Sequence, residues 1–476
     1  MMKARANVVA ALSVQVLLCS RSLAGAPSFQ GLGHLPGDPL YTYARGVSAD
    51  GSVVVGDCWF SRDTTSQAFL WKEGVMTSLG DLPGGFLDSA AYGVSEDGTV
   101  VVGYGQSAAG AEALVWENGV MSGLGSLPGG SWSIAANVSA DGAVVVGWGN
   151  GEEGFRWENG LMSPLGYLPG GPSDSRAYGV SADGVVVVGW SSSGEGDQGF
   201  RWEAGVMTAL GQLPGAGAPS SGAAAVSADG SVVVGASRSQ DSGPLWEAFR
   251  WESGVMTGLG AFPSEYHFFS YATDVSADGS VVVGTSLTGT APYTSYRAFV
   301  WTEATGMLKL SDVLTALGVN LTGWGLHEAT GISDDGLTIV GFGGSTEGNE
   351  GWIATLPVDW IDRVSYELTV SIAKSDWAGW GTVDIEPNLA VYAVGRIVTL
   401  TAQPNEGNVF KTWRIYDPNH PGDANYTVTD ANNPLTLVMM GDRDVVAVFK
   451  CGSGIAPLLP MLLAMLGLLV LMKWKR

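Results

Sequence analysis

Aromatic side chains set near carboxylates, in segments of changing length, are the residues of this chain best suited to chemistry. Trp59, Trp132, Trp148, Trp190 and Phe268 stand in such segments, which include "DCWFSRDTTSQ" from Asp57 and "FPSEYHFFSYAT" from Phe262. Exposed rings can stack on sugar rings while carboxylates accept hydrogen bonds from sugar hydroxyls. These five are the expected ligand-binding residues. The competing role for each is to cap packing between sheets, since aromatics supply large apolar area wherever they lie. A reaction is harder to find. Glycoside hydrolysis needs two facing carboxylates, and the spacing of Glu152, Glu153, Glu195 and Asp197 does not pair them. His34, His267, His327 and His420 are isolated, so no zinc site is expected. The calcium loop of an EF-hand is absent, as is a glycine-rich phosphate cradle between strand and helix. The expectation is no catalytic residue, no metal and no cofactor.

The elements that must position these rings are written repeatedly. "VSADGSVVVG" begins at Val47, and near-copies begin at Val94, Val138, Val180, Val226, Val275 and, in a worn form, Ile332. The steps are 47, 44, 42, 46, 49 and 57 residues. A period of about 40–50 residues points to propeller blades. Each unit divides into four short strands, as in "AAYGVSEDG", "TVVVGYG", "EALVWENG" and "VMSGLGSLPGG". Asp97-Gly98 and Asn118-Gly119 are expected to form two-residue hairpins, which need positive φ at both central positions. The valine run is apolar on both faces, so it belongs in a sheet covered on both sides. Trp71, Trp116, Trp157, Trp202, Trp251 and Trp301 recur once per unit and are expected in the core. Arg156, Arg201 and Arg250 precede three of them; they are expected on a solvated outer face, with anion binding in a central channel as the alternative.

The fragment "FQGLGHLPG" from Phe29 is a fourth strand with no unit before it, and "EGWIATLP" ending at Pro357 is a third strand with no fourth after it. The two complete each other, which predicts an all-β, seven-bladed β-propeller over 28–357 with its edges protected. In such a blade the turns 1–2 and 3–4 share one face of the disc. The variable 2–3 and 4–1 loops share the other, where binding usually lives.

The repeat resembles the HAF-type extracellular repeat of bacterial secreted proteins. "QAFLW" at Gln67, "EAFRW" at Glu247 and "RAFVW" at Arg297 lead to phrases such as "GVMTSLGDLPGG" from Gly74. "GMLKLSDVLTALGVNLTGW" departs from the pattern, being longer and without the LPG ending. The resemblance implies a surface or secreted repeat protein and no particular reaction. After "VDWIDRVS", expected as a linker over 358–365, residues 366–450 resemble the divergent internalin-type B-repeat, a small bacterial surface module. "YELTV" at Tyr366, "GTVDIEP" at Gly381, "YAVGRIVTLTAQPNEGNVFKTW" from Tyr392 and "VMMGDRDVVAVF" from Val438 carry that likeness.

The ends of the chain speak of export. Lys3 and Arg5, the apolar run Val8 to Leu18 and "AGA" at Ala24–Ala26 make residues 1–26 an expected signal peptide. Residues 451–476 place Cys451 before an apolar span, Ile455 to Met472, and a terminal "KWKR". The span is long enough for a transmembrane helix, and the basic end suits a cytoplasmic stop. The arrangement resembles bacterial C-terminal sorting signals, with Cys451 as the matching processing residue. That resemblance implies membrane anchoring, or a cell-surface location after the tail is cut. With 23 basic and 46 acidic residues the net charge is −23, which would repel a phosphate backbone and excludes nucleic acid as a partner. Three cysteines form no disulfide framework. The expected function is a structural or adhesive scaffold binding a glycan or surface protein. The alternative is a propeller enzyme, hydrolase or lyase, acting on glycans.

Overall fold

The computed structural model describes residues 25–37, 39–60, 65–215, 217, 219–242, 245–262, 268–288, 295–346, 348–366, 368–372, 381–386, 392–394, 397–405, 408–416, 427–439 and 443–451. The expected signal peptide, apart from Gly25 and Ala26, and the expected transmembrane helix lie outside these residues. Among the described residues, no helix is long and apolar enough to cross a membrane.

The chain is all-β and propeller-like. Five four-stranded antiparallel meanders follow one another, starting at Gly84, Ser133, Ser175, Ser221 and Ser270. An eight-stranded sheet holds two further sets of strands, joined only through the pairing of Tyr41 with Asn349. One set is Pro39–Val47, Val53–Phe60, Ser66–Lys72 and Val75–Ser78. The other is Gly325–Ile332, Thr338–Ser345 and Gly348–Thr355, and its fourth strand is Ser28–Gly31. Phe29 pairs with Ala354 and Gln30 with Ile353, so the N-terminal fragment completes the last unit as the sequence predicts.

First strands of successive units adjoin one another, so they lie innermost. Fourth strands are largely exposed. The valine run lies between. Val54, Val101, Val145, Val187, Val233 and Val282 are fully buried, and the apolar clusters draw on neighbouring sheets, as where Val144 and Val146 meet Val187 and Phe200. Burial of a valine contributes roughly 1.5–3 kcal/mol, so repetition of this run holds the units face to face.

The turn after the inner strand differs from the expected two-residue hairpin. Gly98 has φ 73°, but Asp97 is not in the left-handed region. Ser95 Oγ donates to Asp97 Oδ1 at 2.8 Å and accepts the Val100 N–H at 3.0 Å, while the Thr99 N–H donates to the same carboxylate. The serine and aspartate close a longer turn through side chains, a preference the Asp-Gly pair alone does not reveal. The outer hairpin follows expectation, with φ 51° at Asn118 and 84° at Gly119. Around the disc, the Ala49 N–H donates to Glu96 O, and the pattern continues through Ala140, Ala182, Ala228, Ala277 and Asp334, which donates back to Ala49. This closed cycle of backbone hydrogen bonds, 3.0–3.2 Å each, links the serine-aspartate turns end to end.

Each inner strand also carries a β-bulge, as between Ala177 and Gly179. The glycine that ends the valine run lies against it. A Cβ on Gly189 would overlap the carbonyl oxygen of Arg176, so bulge and glycine require one another.

Two segments depart from the sequence expectation. The irregular "GMLKLSDVLTALGV" forms a short strand and the helix Leu310–Ala316, which buries Leu310, Val313 and Leu314 in the last unit's core. The expected linker contains a helical turn, Trp360–Arg363, and Trp360 is only 2 % exposed in that same core. A tryptophan supplies too much apolar area to stay in solvent, so the segment docks. Beyond it, Leu368–Ile372, Arg443–Cys451, Asn408–Tyr416 and Thr427–Asp430 form one sheet. Gly381–Glu386, Ile397–Pro404 and Leu435–Val438 form another. Their core holds Val398, Leu400, Trp413 and Val445. Cys451 is the last residue of a strand, in register with Asn408, so the strand runs one residue past the expected boundary at 450.

Candidate functional site at the centre of the loop face

Two inner-strand positions in each unit, four and two residues before the first valine of the repeated phrase, set the character of the disc's centre. One unit carries Gly222 and Ala224 there. Others carry Tyr43 and Arg45, Arg176 and Tyr178, Tyr271 and Thr273, or Glu328 and Thr330. The residue after the valine-run glycine stands opposite: Asp57 beside Tyr43, Trp190 beside Arg176, Phe342 beside Glu328.

These residues shape two cavities on the variable-loop face. One, of about 630 Å³, is lined by Phe269, Tyr271, Tyr296, His327, Glu328 and Phe342, with Thr285 and Ser295. The other, of about 490 Å³, is lined by Tyr41, Tyr43, Arg45, Trp59, Glu328 and Phe342, with Thr330. Both volumes fall in the range of small-molecule sites. Glu328 and Phe342 belong to both, so they form a shared wall. Phe342 packs edge-on against Tyr43, with ring centroids 4.7 Å apart, and edge-on against His327 at 6.2 Å.

The charges at this wall are unequal in their pairing. Arg45 Nε donates to Asp57 Oδ1 at 2.8 Å, and Asp57 is 1 % exposed. Trp59 Nε1 donates to the second oxygen of Asp57. The Arg45 guanidinium lies over the rings of Tyr43 and Tyr92, 5.1 and 5.5 Å from their centroids. Glu328 accepts no hydrogen bond and forms no ion pair among the described residues. Burial pushes its carboxyl above the usual carboxylate range, against the lowering pull of Arg45. Burial, aided by the Arg297 charge, holds His327 below the usual imidazole range, so the ring is neutral at neutral pH. Burial, then the nearness of Tyr178 and Glu328, pushes the Tyr271 hydroxyl up to about 12. The arrangement can stack flat apolar faces and accept hydrogen bonds at Glu328. Among the described lining residues Glu328 is the only carboxylate, so no second one faces it across a bond to be cleaved.

The five predicted aromatics separate into different places. Trp59 lines the smaller of these cavities. Phe268 is half-buried beside Phe269, which lines the larger one. Trp132 lines a different, polar hollow of about 290 Å³ with Glu112 and Ser131, its backbone held by Asn150. Trp148 and Trp190 flank the Arg176 guanidinium at 5.8 and 5.5 Å, and Trp190 Nε1 donates to the Tyr178 hydroxyl at 3.0 Å. Arg176 is ion-paired with Glu152. Arg156, Arg201 and Arg250 sit away from the centre: each pairs with the glutamate two residues on and donates to a turn carbonyl of the next unit. Glu328, Tyr43, Arg45, Tyr271 and Phe342 are absent from the sequence expectation because they lie on strands. Their signal was available as large or charged residues at positions where another unit has glycine and alanine. Among the described residues, no group of His, Cys, Asp and Glu is placed to hold a metal ion.

Comparison with known proteins adds a module. Residues 378–453 match the divergent InlB B-repeat domain. That match starts later than the expected 366 and runs through Cys451. No curated protein matches the chain. Solved structures resemble it at low identity. TolB from Acinetobacter baumannii is 12 % identical over 65 % of this chain and 81 % of its own, with a TM-score of 0.35. An oligogalacturonate lyase from Vibrio parahaemolyticus is 10 % identical over 71 % and 99 %, with a TM-score of 0.46. An oligogalacturonate lyase in complex with manganese is 12 % identical over 70 % and 98 %, with a TM-score of 0.45. Likenesses of this size carry no argument about activity.

Proposed function

We propose that this chain is an exported, surface-associated scaffold whose repeats close into a seven-bladed propeller and whose central trough binds carbohydrate. The observation that carries the reading is the pair of ring-lined cavities joined at Glu328 and Phe342. Flat rings on the walls suit the apolar faces of sugars, and a carboxylate between them suits hydroxyls. The blade count is supported by the closed cycle of backbone bonds through seven turns. The HAF-like phrases, the matched B-repeat module, the signal-like start and the apolar tail after Cys451 favour a cell-surface or membrane-anchored protein. A single unpaired carboxylate favours binding over glycan hydrolysis, which needs two.

The test is a glycan array read with the purified full chain, followed by titration of Trp59→Ala and Tyr296→Ala, one from each cavity. Tyr296 is half-exposed and Trp59 lies next to the end of its strand, half-buried, so both variants should fold. Each should weaken binding about tenfold, the value of one lost stacking contact. Absence of any bound glycan, or binding indifferent to both changes, would overturn the reading.

A further inference from the structure

Among the described residues, the trough holds one unpaired charge where a ligand must pass. Glu328 lies in both cavities, between the rings of Tyr43, Tyr271 and Phe342. Its backbone is fixed on an inner strand opposite Phe342. Arg45, the cation sharing its cavity, is already committed to Asp57 at 2.8 Å. Among the described residues Arg297 is the other cation nearby; it is half-buried and donates to the Tyr296 carbonyl at the rim. An anionic ligand crossing the shared wall would therefore meet Glu328 first. A neutral hydroxyl would give it an ordinary hydrogen bond. An ammonium would give it a charge-assisted one, roughly twice as strong, and would also lie against electron-rich ring faces that attract cations.

We propose that the trough selects glycans bearing a free amine, with the ammonium seated against Glu328 among Tyr43, Tyr271 and Phe342. The inference rests on the carbohydrate-binding reading of the trough and narrows it to amino sugars. It sets uronic acids at the bottom of the preference order. The raised carboxyl of Glu328 agrees with a group whose counter-cation arrives with the ligand.

The experiment uses the full chain and four soluble oligomers of equal length: β-1,4-linked glucosamine, its N-acetylated form, β-1,4-linked glucose, and oligogalacturonate. Binding is measured at 150 mM salt, where long-range attraction to a chain of net charge −23 is screened. The glucosamine oligomer should bind about tenfold more tightly than the glucose and N-acetylated oligomers, and oligogalacturonate should bind least. Glu328→Gln should erase the tenfold preference yet keep binding of the neutral oligomers. Glu117→Gln removes the same charge from an exposed strand end away from the trough, and should leave the preference intact. Equal binding of aminated and neutral oligomers would overturn the amine proposal and leave the carbohydrate reading standing. So would loss of the preference in Glu117→Gln as well, since the effect would then be bulk charge. Binding of none of the four would remove both.

Discussion

The two faces of the disc obey opposite rules. On the turn face every unit repeats one device: a serine hydroxyl and an aspartate carboxylate close the turn, and its backbone hands a hydrogen bond to the next unit. On the loop face the same strands end in residues that change from unit to unit, from Gly222 and Ala224 to Tyr43 and Arg45. Repetition marks what the ring needs in order to close. Departure from repetition marks what an individual unit adds. The contrast has direct consequences: damage to the repeated device should cost stability, and damage to the departures should cost binding.

The largest effect should come from breaking closure. Ser28–Gly31 is the fourth strand of the last unit, and Leu32 and Leu35 behind it are 5 % and 3 % exposed. Deleting 28–37 removes a strand ladder and two buried leucines, a loss on the order of 5 kcal/mol. Removing the exposed pair Phe86–Leu87, which bulges from an inner strand between the paired residues Gly84 and Ser89, deletes apolar area that is not buried and should be mild. Thermal melts of the two deletions compare them. Equal midpoints would mean the units do not depend on closure.

Next in size is the glycine at the bulge. Gly189→Ala sets a methyl group on the Arg176 carbonyl, with Ala177 Cα 3.0 Å away. Backbone on both sides cannot yield, so the cost should be about 3 kcal/mol. Gly205 has φ 84° and open space around it; Gly205→Ala should cost only about 1 kcal/mol, for left-handed backbone alone. Urea unfolding of the two variants separates crowding from conformation. Smaller still is Ser175→Ala. The buried Ser175 hydroxyl accepts the Gly154 N–H at 3.0 Å and donates to Gly166 O at 2.8 Å, tying one unit to its predecessor. Ser89, Ser133, Ser221 and Ser270 repeat the tie. Its loss should cost about 1–2 kcal/mol, because a buried N–H and C=O are both left without partners.

Much of this was legible in the sequence, for a physical reason. The period, the valine runs and the stranded fourth-strand phrase report backbone pairing, which depends on local pattern. Trp71 and its equivalents read as core; Trp71 is 6 % exposed, while Trp116, Trp157, Trp202, Trp251 and Trp301 are partly buried against the core. The site was less legible. Tyr43, Arg45, Tyr271 and Glu328 meet only when first strands from separate units converge, hundreds of residues apart in the chain. Variable loops drew attention to Trp59, and that ring does line a cavity. The same reasoning grouped Trp148 and Trp190 with it, although those two enclose Arg176. The docking of the 358–365 segment was not legible, because one large apolar side chain, Trp360, that reaches the last unit's core leaves no periodic pattern in the sequence.

The smallest effect is a pH trend at the seam between the last two units. Asp274 stands where other units carry Gly46, Gly93, Gly179 or Gly331. Its carboxylate accepts the Val275 N–H and, across the seam, the Ile332 N–H, each at 2.9 Å. Burial dominates over these bonds and pushes its carboxyl up to about 7. In the unfolded chain it titrates near 4. Below that both states hold the proton, and the residue adds no pH dependence. From about 4 to about 7 the unfolded chain ionises while the folded one keeps its proton, so stability falls as pH rises. Above about 7 both are ionised and the penalty stays constant. Asp274→Asn cannot titrate. It presents an amide N–H to Ile332 in place of an acceptor, so it should melt below the parent near pH 4. The melting difference, variant minus parent, should then climb through pH 5 and 6 and level off above 7. The turn aspartates, such as Asp97, are held below the usual range by the Thr99 backbone and side-chain bonds and by Ser95. Their acid loss is common to both proteins and cancels in the difference. A difference that stays flat from pH 4 to 8 would mean that Asp274 is ionised in the folded protein throughout, and that the seam tolerates the charge.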